Sequence, residues 1–597
     1  MAAVALDPGG LLIDDGTVGG TSGPILGVAD ADVVIAPGVD PAGEQVWFVA
    51  NRAELTVTPR VPLDFSRSLG VVSAVAVPVR VLPGGRVRDL AATLGVAEAA
   101  GIADWCLRTA TEYARVREQF GRPIGSFQSI KHLLVDMLCR VEQAGALAWD
   151  AARAAGDGPQ HALAVAAAAG IALDAAVANA KDCVQILGGI GFTWEHDAHL
   201  YLRRALALRS LLGGGPAWRR RTARLAAAGT RRELRPPVTE VARQPEFHAL
   251  ATEIGTLAPE RQRFALAESG LLAPHWPKPY GLDATPAEQL AIDQELAELN
   301  NKRPDLVIGW WAAPTIMRHG SIDQKEQFIR PTLRGEITWC QLFSEPGAGS
   351  DLASLRTKAE RVDGGWRLSG QKVWTSLAAR ADWAICLART DPTAPKHKGI
   401  SYFLVDMTTP GIDIRPLREI TGDAVFNEVF LDNVFVPEKM LVGALNGGWK
   451  LARTTLANER VAMSGGATFG DGVENLLEIV ASQGFTLDES TADRLGALVS
   501  GALGNALLDL RGTLRSLAGQ GPGAESSVRK LVGVAHRQAV AEAAVEFHGV
   551  DGATADGPLA ALVHELLLTR CLSIAGGTSQ ILRTLAGERL LGLPREP

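Results

Sequence analysis

Residues 339–376 read WCQLFSEPGAGSDLASLRTKAERVDGGWRLSGQKVWTS. The stretch opens with apolar residues, breaks at Pro346-Gly347-Ala348-Gly349, and resumes as two alternating runs around Asp363-Gly364-Gly365. That pattern predicts a strand, a polar loop and a hairpin. Gly347 and Gly349 carry no Cβ, so their backbone N–H groups can approach an anion or a ring edge, and Ser344 and Ser350 add hydroxyl donors beside them. Such a loop is either an ordinary turn or one wall of a site for a phosphate-bearing cofactor, and its own residues leave both readings open.

Outward from this stretch, the chain of 597 residues is too long for one core, and 47% hydrophobic with 21% charged residues is ordinary for a soluble protein of several domains. A formal net charge of −7 gives no reason to expect nucleic acid or an anionic membrane as partner. The cysteines Cys106, Cys139, Cys183, Cys340, Cys386 and Cys571 form no CxxC pair and have no His at ligand spacing. They predict buried thiols in a reducing compartment, with neither a disulfide framework nor a metal site. The opening MAAVALDPGGLLIDDG has no basic segment followed by an apolar one, and the Ala-rich run His161–Ala180 reads as too weakly apolar to span a bilayer. The expected location is the cytoplasm.

In chain order, residues 1–85 are a β segment, with strand-like runs at 32–36, 45–50 and 71–77. Residues 86–228 are Ala- and Leu-rich at helical spacing, broken at Gly121, Gly156-Asp-Gly158 and Gly188-Gly189, and predict four or five helices. Residues 229–240, charged and with two prolines, read as a linker. Helices are expected again over 241–336, β structure over 337–442, and helices over 443–597. The order β, α, linker, α, β, α suggests an internal repeat, with Asp7-Pro-Gly-Gly set against Asp363-Gly-Gly and Ala29-Asp-Ala-Asp against Ala379-Arg-Ala-Asp.

Two strings of the first half invite a second site: Arg117-Glu-Gln119-Phe120-Gly-Arg-Pro with Gln128 after it, and Gln185-Ile-Leu-Gly188-Gly189-Ile-Gly-Phe-Thr. An Arg before a Gly turn can present its fork to a pyrophosphate, but a helix end with its Gly cap accounts for the same residues.

The SEPGAGSD loop followed by Trp374-Thr375-Ser376 resembles the flavin-binding β-domain of acyl-CoA dehydrogenases, and REQFGRP and QILGGIGFT resemble the two signature strings of that family's C-terminal helical domain. The resemblance implies an α+β, mainly α fold of helical bundle, β-barrel-like middle domain and helical bundle, with a truncated second copy fused at the N-terminus. In the family the two helical strings hold the adenosine diphosphate part of a neighbouring subunit's FAD. Here they stand only in the first half, while the flavin platform stands only in the second. One FAD per chain is therefore implied, held by Leu342, Phe343, Ser344, Gly349, Ser350, Trp374, Thr375, Ser376, Thr578 and Gln580 on one side. Arg117, Gln119, Phe120, Gln128, Gln185, Gly188 and Gly189 would hold it on the other. The first half puts Pro24 where Trp374 stands and is read as lacking the SEPGAGSD strand altogether.

The family's proton-abstracting Glu sits either in a C-terminal loop or on a helix just before an Arg. The loop here reads Ser573-Ile-Ala-Gly576-Gly577-Thr578, with Gly576 at the Glu position, whereas the helix carries Glu459-Arg460. Glu459 is thus implied as the base. Ser350, Arg460, Gly576 and Gly577 are implied at the substrate, with the Gly576 N–H on the thioester carbonyl. The first half offers Ala91-Ala92 and Leu212 at the two positions, which implies a silent half. The function implied is FAD-dependent α,β-dehydrogenation of an acyl-CoA, a bulky steroid-side-chain-like thioester, with electrons passing to an electron-transfer flavoprotein and the fused chains forming a homodimer. The rivals are an acyl-CoA oxidase using O2 and a non-catalytic subunit that binds FAD or acyl-CoA.

Overall fold

The computed structural model describes residues 1–7, 9–82, 86–234, 241–464, 471–482, 487–520 and 525–596, with the backbone alone described for 460–464 and 471. The alternating runs at the start form a nine-stranded sheet of β1 Ala2–Val4, β2 Leu12–Asp14, β3 Thr17–Thr21, β4 Ile25–Leu26, β5 Val33–Val39, β6 Gln45–Asn51, β7 Thr56–Arg60, β8 Leu69–Pro78 and β9 Arg80–Val81. Val18, Val34, Ala36, Phe48 and Val72 supply its small core. A short hairpin, β10 Glu118–Gln119 and β11 Arg122–Pro123, follows later in the first half.

The second half repeats the sheet with eight strands: β12 Trp339–Leu342, β13 Lys358–Val362, β14 Gly365–Ser376, β15 Trp383–Arg389, β16 Ile400–Asp406, β17 Ile412–Pro416, β18 Phe426–Pro437 and β19 Leu441–Val442. β1 runs parallel to β5 as β12 runs parallel to β15, and β6 pairs with β9 as β16 pairs with β19. Two expectations are corrected here. The first half does possess the counterpart of the strand leading into SEPGAGSD, namely β1. It differs in the connection that follows, residues 5–11 against the longer 343–357. The repeat is also in register at Asp15-Gly16, which closes β2 on β3 as Asp363-Gly364 closes β13 on β14, and not at Asp7-Pro-Gly-Gly. The reason is conformational: Gly16 (φ 73°) and Gly364 (φ 74°) both supply the positive φ that a two-residue hairpin turn demands.

Five helices follow the first sheet: α1 Val87–Val116, α2 Gln128–Arg153, α3 Gly158–Leu187, α4 Ala198–Leu211 and α5 Gly214–Ala227. By length and hydropathy α1 and the run Gly158–Phe192 would each pass as a membrane span, more apolar than the sequence reading allowed. They form the middle of the bundle, with the apolar window of the second run 78% buried. Next come α6 Gln244–Gly255, α7 Pro259–Ser269, α8 Pro286–Glu298, α9 Gly309–His319 and α10 Ile322–Arg334, whose apolar faces share a core with the second sheet. The chain ends in α11 Gly448–Ser464, α12 Asp471–Ser482, α13 Glu489–Leu517, α14 Glu525–Glu546, α15 Ala560–Leu568 and α16 Ser579–Arg589.

The helices of the first half and the last helices of the second half enclose one hydrophobic core that runs from Ala92 to Leu593. The described part of the expected linker is not loose. Arg231 grips Glu474 of α12 through two 2.7 Å hydrogen bonds, and Arg232 grips the buried Asp150 of α2 at 2.8 and 2.9 Å. A charged segment without an apolar face reads as solvated when its distant acidic partners are invisible. Residues 235–240 of that segment lie outside the described residues.

At the seam, Gly496 of α13 lies so close to α5 that a Cβ there would stand 1.7 Å from the Arg219 carbonyl oxygen. Gly496→Val is expected to force α5 and α13 apart and cost about 3 kcal/mol or more by overpacking, read as an earlier urea transition. Gly504→Ala on the same helix, whose Cβ would make ordinary contacts with the Gln143 and Leu147 side chains at 3.5 and 3.6 Å, is expected to stay near wild type.

Candidate active site

β12 delivers the small-residue loop. The Leu342 and Phe343 side chains turn into the core, leaving only their backbone for a ligand, and Ser344 is half-buried at the loop's edge. The loop is pinned from below by Glu345, whose carboxylate accepts the Arg356 N–H at 2.6 Å, the Thr357 N–H at 2.9 Å and the Lys372 ammonium at 2.9 Å. Lys372 is 0% exposed and also donates to the Phe343 and Leu387 carbonyls at 3.1 and 2.8 Å. Burial pushes the Glu345 carboxyl up, but Lys372 and the hydrogen bonds outweigh it and hold it below the usual range. Above this anchor Gly347, Gly349 and Ser350 are exposed, and a Cβ at either glycine would meet nothing within 4 Å.

β14 returns beside the loop, with the Val373 N–H on the Ser344 carbonyl at 3.0 Å. Its register against β18 shifts between Lys372 and Thr375, and at that irregularity Trp374 adopts φ 59° and stands 61% exposed. A bulky aromatic held at positive φ with its ring in solvent is strained, and such strain gathers at ligand sites. Ser376 is half-buried, while Thr375 is fully buried with its hydroxyl unpartnered.

Glu459 lies on α11, is 9% exposed, and accepts the Gln341 side-chain amide at 3.3 Å. Gln341 is oriented in turn by the Trp311 indole of α9, which donates to its carbonyl oxygen at 2.7 Å. One turn earlier Thr455 bonds Thr315 and Tyr402 at 2.9 and 3.1 Å, fixing the helix against α9 and β16. The base candidate is thus tied to β12, the strand that leads into Ser344. Arg460 belongs to α11, but its side chain lies outside the described residues.

The C-terminal loop is held on α14, a helix against which α11 also packs. Gly576 (φ 64°) and Gly577 (φ 98°) both occupy the left-handed region, where a side chain would be strained. Lys530 of α14 donates to the Ala575 carbonyl and, at 3.3 Å, to the Gly577 carbonyl. Thr578 caps α16, and Gln580 is exposed.

From the first half, Arg117, Gln119, Phe120 (94% exposed), Gln128, Gln185, Gly188 and Gly189 all face solvent. The start of α2 beside them is bound to α16: Lys131 pairs with Glu588 at 2.9 Å, Asp136 with Arg583 at 2.8 Å, and His132 meets Thr584 at 3.3 Å and the Gln580 backbone. Arg115 also donates to the Leu591 carbonyl. The REQFGRP end of the first half and the Thr578–Gln580 end of the second are therefore neighbours within one chain. In the first half the Leu212 side chain packs against Gly95 of α1, with Leu208 beside it.

These residues fit a flavin nucleotide: an open glycine cradle with free N–H approach, an exposed Trp beside it, and exposed Arg and Gln donors ahead of α2, whose start is bound to α16. Trp311, Gln341, Lys372 and Lys530 escaped the sequence reading, because each works through a partner far along the chain. Among the described residues, no group of three or more His, Cys, Asp or Glu could hold a metal.

The model described as acyl-CoA dehydrogenase, C-terminal domain matches residues 91–224 and again 446–591, the middle-domain model 340–434, and the N-terminal-domain model 223–336. The chain is 58% identical over 603 residues to acyl-CoA dehydrogenase FadE34 of Mycobacterium tuberculosis, covering 100% of this chain and 83% of that protein. It is 36% identical over 340 residues to acyl-CoA dehydrogenase IpdE1 of the same organism, covering 55% and 87%. A solved structure titled Tcur3481-Tcur3483 steroid ACAD superposes with a TM-score of 0.50 at 27% identity, covering 60% of this chain and 100% of that one. With the C-terminal-domain model matching twice and a relative aligned over the whole length, the chain belongs to the acyl-CoA dehydrogenase family of FAD oxidoreductases, in a fused two-half arrangement.

Proposed function

We propose that this acyl-CoA dehydrogenase acts on a bulky, steroid-side-chain-like CoA thioester, with one FAD per chain, electron-transfer flavoprotein as acceptor and a homodimer of fused chains in the cytoplasm. The silent half comprises residues 1–228 and the live half 241–597. The observation that carries the reading is the tie from Trp311 through Gln341 to Glu459, which places a nearly buried carboxylate beside the strand of the flavin-type loop. The steroid class is supported by the solved relative titled a steroid ACAD.

A bound flavin supplies the oxidant. Glu459 takes the α-hydrogen as a proton, in a site dry enough to favour the neutral carboxyl it becomes. The Gly576 N–H meets the thioester oxygen as negative charge grows there. Ser344, Trp374 and Ser376 line the ring side. Ser350, Thr578 and Gln580 with Arg117, Gln119 and Gln128 take the pyrophosphate and adenosine.

The test is an anaerobic titration of the FAD-loaded protein with a steroid-side-chain CoA thioester and, separately, a linear one. Bleaching by the steroid thioester at about one FAD per chain is the expected outcome. Sustained H2O2 release in air would mark an oxidase, and FAD bound but unbleached by either thioester would mark a non-catalytic subunit.

A further inference from the structure

We propose that Lys530 is a positioning residue that acts on the thioester carbonyl through the peptide joining Ala575 to Gly576. The inference rests on the reading that the Gly576 N–H faces that carbonyl. Lys530 is 7% exposed on α14, and its ammonium donates to the Ala575 and Gly577 carbonyls, one on each side of Gly576. The Ala575 carbonyl and the Gly576 N–H belong to one peptide unit. That N–H donates to no other group among the described residues, so it stands ready for a ligand.

A cation on the oxygen of an amide draws electron density toward it and makes the N–H at the other end a stronger donor, an effect magnified where water is excluded. The same segment is already stitched to α14 by Gln538 on the Thr569 carbonyl at 2.8 Å and by Arg570 on Glu542 at 2.8 Å. An ammonium withdrawn from water is costly, and at this place its field points along the peptide toward the reacting carbonyl. As the Cα–H bond breaks, the proton passes to Glu459 and the electron pair spreads onto the thioester oxygen. That pair forms the Cα=Cβ bond as the β-hydrogen leaves with its own pair to the oxidant. Lys530 strengthens the donor that receives the charge between these events.

The experiment reads the carbonyl itself. The FAD-loaded protein binds the steroid-side-chain 2-enoyl-CoA labelled with 13C at the carbonyl, which has no α,β-hydrogen pair left to lose, and infrared difference spectra record the thioester stretch. Wild type and Glu459→Gln are expected to shift the band to lower wavenumber. Lys530→Met is expected to lose most of that shift, with FAD content kept, and to lower kcat about tenfold to a hundredfold with little change in KM. Lys530→Arg is expected to recover part of both. A full shift in Lys530→Met, however low its thermal stability, overturns the proposal. Should Lys530→Met not fold, Lys530→Gln decides, because it can still donate to the Ala575 carbonyl without charge: a reduced shift supports the proposal and a full shift overturns it. If the wild-type band does not move, the Gly576 reading has failed and this inference falls with it.

Discussion

Glu459→Gln, loaded with FAD, is expected to bind the steroid-side-chain thioester and to bleach at least about a thousandfold more slowly than wild type, within the range that a positioned general base contributes. Glutamine keeps the shape and can still meet Gln341, so the loss isolates the basic oxygen. Glu459→Asp should fall between, since its carboxylate is withdrawn by one methylene from a site set by hydrogen bonds at 3.3 and 2.7 Å. Anaerobic stopped-flow spectroscopy with FAD content measured in parallel makes the comparison. Fast bleaching in the glutamine variant would place the base elsewhere and remove the chief role of α11.

Lys372→Met is expected to be the most damaging single change to stability, costing about 3–5 kcal/mol as one member of a buried pair is removed and the other is left charged. It strands the Glu345 carboxylate and the Phe343 and Leu387 carbonyls together. The dependence on pH has a definite sign. In wild type the folded carboxyl lies below the usual range, so its contribution is present above the ordinary carboxylate pKa of about 4.3 and is lost as pH falls through the folded value. In the variant only the Arg356 and Thr357 N–H groups still oppose burial, so the folded pKa rises relative to wild type and acid relieves part of the penalty on the ionised form. The gap between the two proteins in urea unfolding should therefore narrow on acidification, and Lys372→Met combined with Glu345→Gln should recover part of the loss. A gap that widens below pH about 4 would contradict this account of the anchor.

Much of the architecture was legible because local rules and tertiary packing agree. The break at Pro346–Gly349, the turn at Asp363-Gly364 and the helix ends at Gly156 and Gly188 are all signalled by residues within a few positions of one another. β1 was missed because Ala2–Val4 is short and weak in β propensity, and only its pairing with Val33–Ile35 makes it a strand. The repeat slipped in register because two turn signals lie close together and hydrogen bonding chooses Asp15-Gly16. At the candidate site, the motif around Glu459 is what singles it out in the sequence. Its support was not legible, since Gln341 stands 118 positions away and no local pattern marks a glutamine in a strand as the holder of a carboxylate.

The core shared from Ala92 to Leu593 changes the kind of equilibrium that holds the two halves together. In a dimer of separate chains, contacts such as Lys131 with Glu588 and Arg219 with Asp493 would be lost on dilution. Joined by residues 229–240, the halves meet at an effective concentration in the millimolar range whatever the amount of protein present. The supporting half is also made in strict one-to-one ratio with the half it serves. Freed from matching an identical copy, the first half can change elsewhere while the residues that face its partner, such as Lys131 and Arg219, stay under constraint.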